Sequence, residues 1–568
     1  MLQLLDIFGF LSVLLRGLTL ALQSLVIGGL VFDLFIARGE TGAAAARAGR
    51  RLLAGSALGL ALAQAGFLAA DAALLMATTG LGFAAVAGAG FFVAGAAAAI
   101  VALAIAGLTF SAGQSPRRPD DLQGIEISRG PSIPQGRPAL AGALALSLGI
   151  LAAAVATSHA AARLEDRALP LTLTALHMAA AACWIGGLPY LLLALGRAPD
   201  AAAARSIAGR FSRLAQGSVA VLLGAGIGLA VLYVGSPAAV LGTAYGAMVS
   251  AKAILLALLL GLGALNYYVV RRAEAGDTSG LARLRRFAEA EVGIGFTVIL
   301  AAASLTSQPP AADLSPRDLV SLPEIEARMA PRPPRLVPPT ATERLPPSLR
   351  ETAGGSKGAG RHAVETYLSY VPGQLVEPPT PGEIALSEFN HNVSGLVVLL
   401  AGLLAIAARA GWRWARNWPL AFLALAVFLF LLADVEYWPL GPIPFWRGFL
   451  VAEALQHRLA VLLIVAFAFY ERRVQVGRAA SPSTALVFPF VCFLGGALLL
   501  THSHSLNNPK SELLVELSHA SIAILGVAAG WSRWLELRLP DGPRRALSWV
   551  WPVCLILVGA LLLDYRES

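Results

Sequence analysis

Apolar runs of about twenty residues recur from one end of this chain to the other, and nothing else in it constrains the fold so strongly. About fourteen are legible, roughly at 12–36, 52–76, 83–110, 138–157, 171–196, 214–235, 247–270, 288–307, 392–409, 418–435, 448–470, 484–501, 512–532 and 546–563. In lipid, every backbone N–H and C=O must be paired within the protein, which leaves helices or a closed barrel. The runs lack the in–out alternation of barrel strands. The expected fold is therefore all-α, a polytopic inner-membrane bundle of about fourteen transmembrane helices. A composition of 57% hydrophobic and 14% charged residues agrees with that and with no ordinary soluble domain. The first run carries Arg16 and no small-residue cleavage pattern, so it reads as a span rather than a removable signal.

Basic residues orient the set. Alternate loops collect arginines, such as Arg38, Arg47, Arg50 and Arg51, or Arg271, Arg272, Arg283, Arg285 and Arg286, or Arg533, Arg538, Arg544 and Arg545. The short loops between them hold only Arg163, Arg167, Arg447 and Lys510. The positive-inside rule places the arginine-rich loops in the cytoplasm and both termini in the periplasm. The net charge of +9 belongs to those anchoring loops and points to no nucleic acid. Two membrane blocks are expected: eight spans in 1–307 and six in 391–568. Between them, 308–390 is a proline-rich periplasmic loop (SQPPAADLSP, APRPPRLVPPTATERLPP) that should bury little core.

Chemistry gathers where LLLTHSHSLNNPKSELLVELSH joins two apolar runs. His502 and His504 stand two apart on a polar turn, and Glu512, Glu516 and His519 follow at i, i+4 and i+7, on one helical stripe. Polar residues crowding a helix end could produce part of this, but three imidazoles and two carboxylates together form a ligand set for a divalent transition metal. His391 opens the second block in FNHN. His159 ends one span, and His177 sits about two turns into the next from the same side, with Trp184 sharing its face. Gly186 and Gly187 would admit a neighbouring helix closely. His457 reads as near mid-membrane, one turn after Glu453 and beside Arg458, and these three are expected to pair or to line a polar cavity. Only His362 falls in the long loop, and no histidine falls in an arginine-rich loop. Lys252 should snorkel. Glu291 reads as an acidic residue near the start of its helix, where the dipole suits it and no transport role is needed.

Cys183, Cys492 and Cys554 are isolated, with no CxxC, and five methionines give little support to a thioether pathway. No GxxxxGK[ST] occurs, so ATP use is not indicated and an enzyme is not expected. Imidazole with carboxylate suits Cu(II), Zn(II) or Ni(II), and a given site of this kind holds Cu(II) most tightly.

The ordered set Ser158-His159, the His177–Trp184–Gly186–Gly187 helix, FSRLA, Tyr245-Gly246, Lys252, Asn266, Glu291 and LTSQPP resembles the copper resistance protein D (CopD) family, best over about 138–310. The second block resembles the C-terminal extension of that family's longer members. The resemblance implies an inner-membrane protein that moves copper inward, supplied by a separate periplasmic copper carrier, since the loop has no sandwich-like strand pattern. On this reading His391, His502, His504, Glu512, Glu516 and His519 capture the ion on the periplasmic side. His457 with Glu453 forms a deeper station, and His159 with His177 forms a second site or part of the same vestibule. Two alternatives stay open: a membrane electron carrier with haem b held by paired histidines, and a copper receptor that does not transport.

Overall fold

The computed structural model describes residues 2–37, 42–111, 137–272 except 164, 278–340, 380–500 except 436, 442, 451, 479–480 and 482–483, and 509–567 except 540. Thirteen helices are long and apolar enough to cross a membrane, and a shorter apolar helix occupies Thr484–Leu499. These match the fourteen expected runs one for one. We label the main helices α1 (Leu2–Val31), α2 (Ala43–Thr79), α3 (Gly90–Ser111), α4 (Arg137–Ala156), α5 (Ala168–Trp184), α6 (Leu188–Leu195), α7 (Ala201–Val234), α8 (Ala244–Arg272) and α9 (Thr278–Leu305). There follow α10 (Pro381–Arg409), α11 (Ala421–Phe428), α12 (Ala452–Gln475), α13 (Val487–Leu499), α14 (Pro509–Arg538) and α15 (Asp541–Leu563).

Two compact units result. The N-terminal unit comprises Ser12–Gly235 and Ile254–Ser307; the C-terminal unit comprises Met1–Leu11, Ser236–Ala253 and Gln308–Ser568. In the N-terminal unit, α1 and the α5–α6 junction meet backbone to backbone. A Cβ on Gly186 would lie 1.9 Å from the Ser24 carbonyl oxygen, and one on Gly28 would lie 2.4 Å from the Ala182 oxygen. With no hydrophobic drive between helices in lipid, such close approach is what gives van der Waals packing its strength.

The C-terminal unit is built around stacked aromatic rings. Trp418 and Trp551 lie 5.2 Å apart by centroid, Phe422 meets Phe467 at 4.7 Å, and Phe488 reaches Phe467 at 4.9 Å and Trp551 at 5.3 Å. Beside them sits a buried ion network. Arg533 donates to Glu471 at 2.9 Å and to Glu536 at 2.7 Å, Trp551 Nε1 donates to Glu536 at 2.9 Å, and Arg409 also pairs with Glu536. Two arginines thus balance two carboxylates, with Arg533, Glu471 and Glu536 withdrawn from water and Arg409 at the edge. Arg533, counted from sequence among loop anchors, is instead a buried helical residue at 3% exposure.

The proline-rich connection is more ordered at its start than its composition suggests. Leu322–Met329 is a helix opened by a capping box between Ser321 and Glu324. Val320 is buried against Ala247 and Leu513, and its N–H donates to Gly242 O at 3.0 Å. Lys510 of α14 pairs with Glu324 at 3.0 Å, and Arg566 donates to Arg332 O at 2.9 Å. Residues 320–335 therefore form a strap tied to the C-terminal unit's helices. One buried valine and a few main-chain bonds suffice to hold it. The rest of the loop, including a short helix expected around HAVETYLSYV, lies outside the described residues.

Gly186→Val should force α1 and α5 apart and lower the detergent melting temperature, at a cost of at least the ~1–3 kcal/mol of core overpacking. Gly55→Val meets nothing within 4 Å and should leave the melting curve unchanged. Arg533→Met leaves two buried carboxylates with one cation and should destabilise by about 3–5 kcal/mol, read by the same measurement.

Candidate metal site

α10 begins eleven residues before the apolar run suggests. Thr380-Pro381-Gly382-Glu383 makes a capping box: Glu383 N–H donates to Thr380 Oγ1 at 3.2 Å and Thr380 N–H to Glu383 Oε2 at 2.7 Å. His391 consequently sits within a helix, about 15 Å along it by helical rise, rather than on a loop. Its neighbours lock that stretch in place. Asn390 Nδ2 donates to Ala433 O at 3.0 Å. Asn392, fully buried, donates to Leu562 O at 3.1 Å and Tyr565 O at 3.3 Å, and its Oδ1 accepts the Arg335 N–H of the strap at 2.6 Å.

His519 comes from α14 and meets His391 edge to face, with ring centroids 5.9 Å apart. Tyr565, in the tail after α15, stacks on His391 at 3.9 Å and stands edge-on to His519 at 5.7 Å. Both histidines place Nδ1 against the carbonyl one turn back, His391 on Ser387 O and His519 on Val515 O, each at 2.8 Å. A carbonyl can only accept, so Nδ1 carries the proton in each neutral ring and Nε2 presents a lone pair. That tautomer is the one a metal ligand uses when its other nitrogen is oriented by the backbone.

Glu512 and Glu516 lie on the same stripe of α14 as His519, and all three are buried. Glu512 is in the first turn, where a carboxylate suits the helix dipole. Among the described residues, however, no three His, Cys, Asp or Glu side chains converge closely enough to hold an ion. The described part of the site is two imidazoles, a stacked tyrosine and two carboxylates further along one helix. His502 and His504 lie outside the described residues.

The other candidates fall elsewhere. His457 is near the start of α12, not at mid-membrane, because residues 445–450 form a separate 3-10 turn and the helix proper opens at Ala452. Its Nδ1 pairs with Asp434 Oδ1 at 2.9 Å. Arg458 packs over the Phe445 ring at 4.2 Å instead of pairing with it. The side chain of Glu453 lies outside the described set. His177 Nδ1 is 3.2 Å from Leu222 O, and His159 packs near the Tyr233 ring at 6.4 Å. Those two contacts fall on α7 about 16 Å apart by helical rise, so the two rings are not brought to one point.

Sequence reasoning passed over three contributors. Tyr565 carries no motif. Asn390 and Asn392 flank the histidine in FNHN and were available as a signal, since paired amides inside a membrane helix need partners. In the N-terminal unit, Glu291 stands midway along α9, 4% exposed, and accepts a hydrogen bond from Asn266 Nδ2 of α8. It is not at a helix start; the helix runs a further three turns before it than the apolar run alone indicates.

Taken together, these features define a multi-pass helical membrane protein whose C-terminal unit brings two oriented imidazoles together. The comparisons with known proteins bear on other residues. Residues 205–305, which run from α7 to α9, match the family model for copper resistance protein D. The copper transport protein CutJ of Bacillus subtilis (strain 168) is 31% identical over 181 residues, which is 31% of this chain and 32% of that protein. The chain thus spans about a third of that relative's length. No solved structure matches.

The strap has a pH signature. The Ser321 backbone and hydroxyl, with the Lys510 ammonium, hold the Glu324 carboxyl down at about 2 from an ordinary 4.5. A depressed carboxyl stabilises its ionised attachment fully above pH 4.5 and loses that contribution as pH falls towards 2. Hydrogen exchange across 320–330 should therefore stay constant from pH 7 to about 5, after correction for intrinsic rates, and rise below that. Glu324→Gln should raise it at neutral pH and flatten the dependence.

Proposed function

We propose that this protein carries copper ions across the bacterial inner membrane, taking them up from the periplasmic side. His391 and His519 form the core of the capture site. Their juxtaposition supports the reading: two rings from helices far apart in the chain, 5.9 Å between centroids, each with Nδ1 on a backbone carbonyl, the tautomer whose Nε2 carries the lone pair. His502 and His504 are the remaining imidazole ligands, with Glu512 and Glu516 along the α14 stripe as carboxylate partners. The match to the CopD family model and the likeness to a copper transport protein support copper over zinc or nickel as cargo. A separate periplasmic carrier supplies the ion. His457 with Asp434 is a second imidazole–carboxylate station, and His159 and His177 act singly.

A haem held by both His391 and His519 is disfavoured, since Tyr565 packs against both rings.

Copper binding by purified protein, read by elemental analysis after dialysis against a graded competitor, tests this. His391→Ala and His519→Ala should each weaken binding at least tenfold, and His362→Ala should not. Asn392→Ala, which frees the helix segment carrying His391, should cost about 10–100-fold, as loss of an orienting partner does. Equal binding by all four variants would remove the site. Cellular copper that is unchanged on deleting the protein, with binding intact, would make it a receptor instead.

A further inference from the structure

A cavity of about 600 Å³ opens inside the N-terminal unit between α5–α6, α7, α8 and α9, apart from every histidine discussed above. Its walls are mainly aliphatic and aromatic, with Trp184, Phe211 and Tyr267 contributing rings. Glu291 and Asn266 line it as well. Asn266 spends its amide N–H on Glu291 and is itself 8% exposed, yet its Oδ1 has no hydrogen-bond partner among the described residues. Glu291 has no cation in ion-pair range among them either; its one described partner is a neutral amide.

A carboxylate and an amide therefore line a roomy space walled by rings, the amide oxygen lying just beneath its surface. A buried acceptor left unpaired is costly, and a lone carboxylate in the membrane interior more so. What satisfies both at once is a compact cation with several N–H donors, and the walls favour one with an apolar body. Aromatic faces add cation–π attraction to the same charge. An all-oxygen acceptor pair is a poor match to copper, which prefers nitrogen and sulfur. We propose that this cavity binds a lipophilic ammonium, its N–H groups donated to Glu291 and Asn266 Oδ1 and its hydrocarbon part among Trp184, Phe211 and Tyr267. The site is independent of the copper reading, and neither requires the other.

The full-length protein in lipid nanodiscs serves for the test, with tritiated 1-adamantylamine and its neutral isostere 1-adamantanol as probes in a scintillation proximity assay. Wild-type protein should bind the amine saturably and at least tenfold more tightly than the alcohol. Glu291→Gln keeps the Asn266 contact and removes the charge; it should erase the preference. Gly263→Leu projects a side chain into open space beside the cavity, where glycine has no neighbour within 4 Å, and should weaken both probes. Leucine is also the better helix former, so folding should not suffer. Equal affinity for amine and alcohol in the wild type would mark an acyl-chain crevice and overturn the proposal. So would no saturable binding, or a preference that survives Glu291→Gln in a monodisperse protein.

Discussion

Inside a bilayer no water is at hand to satisfy a polar group, and the whole structure is shaped by that shortage. Backbone groups meet it by forming helices. Side chains meet it by finding each other: Arg533 and Arg409 share Glu471 and Glu536, with Trp551 closing the network through its indole N–H. Asn392 makes three hydrogen bonds to two separate main-chain segments, the strap and the end of α15. Such clusters specify which helices neighbour which, because a wrong pairing would strand a charge or an amide in hydrocarbon.

The same requirement prepares the histidine pair. An imidazole on a membrane helix can donate to the carbonyl one turn back without leaving its own helix, and His391 and His519 both do so. The tautomer is set before any ion arrives. Asn390 and Asn392 on either side of His391 then tie its helix to the end of the α11 segment and to the tail that delivers Tyr565. The strap reaches the same turn of α10 through Arg335, whose N–H donates to Asn392. Preorganisation of this kind lowers what binding must spend on ordering its ligands.

The fold was largely legible because hydrocarbon thickness imposes a length that sequence displays directly. Fourteen apolar runs became thirteen long helices and one short one. Helix starts were less visible where they lay in polar sequence. Thr380 to Glu383 spells a capping box, yet it precedes the apolar run by a dozen residues, and a hydropathy reading begins too late. The same bias put His457 too deep, since the apolar residues before it belong to a 3-10 turn rather than to α12. For the site, spacing within α14 put Glu512, Glu516 and His519 on one stripe, but spacing says nothing about which distant helix comes alongside. That His391 is the partner, and Tyr565 the third ring, depends on the packing of α10, α14 and the C-terminal tail.

Glu291 reads from the sequence as an ordinary acid at a helix start because the apolar run hides the first turns of α9. Its burial follows from α9 beginning at Thr278, which puts Glu291 at the middle of the helix and opposite Asn266. The two units then differ in kind. The C-terminal unit offers nitrogen lone pairs fixed by carbonyls, a chemistry suited to borderline transition metals; the cavity of the N-terminal unit offers oxygen acceptors among apolar walls, a chemistry suited to ammonium. One ligand type cannot satisfy both sets well. The family match, over 205–305, covers Asn266 and Glu291 and neither histidine of the pair, so the two sets of polar groups belong to different stretches of the chain.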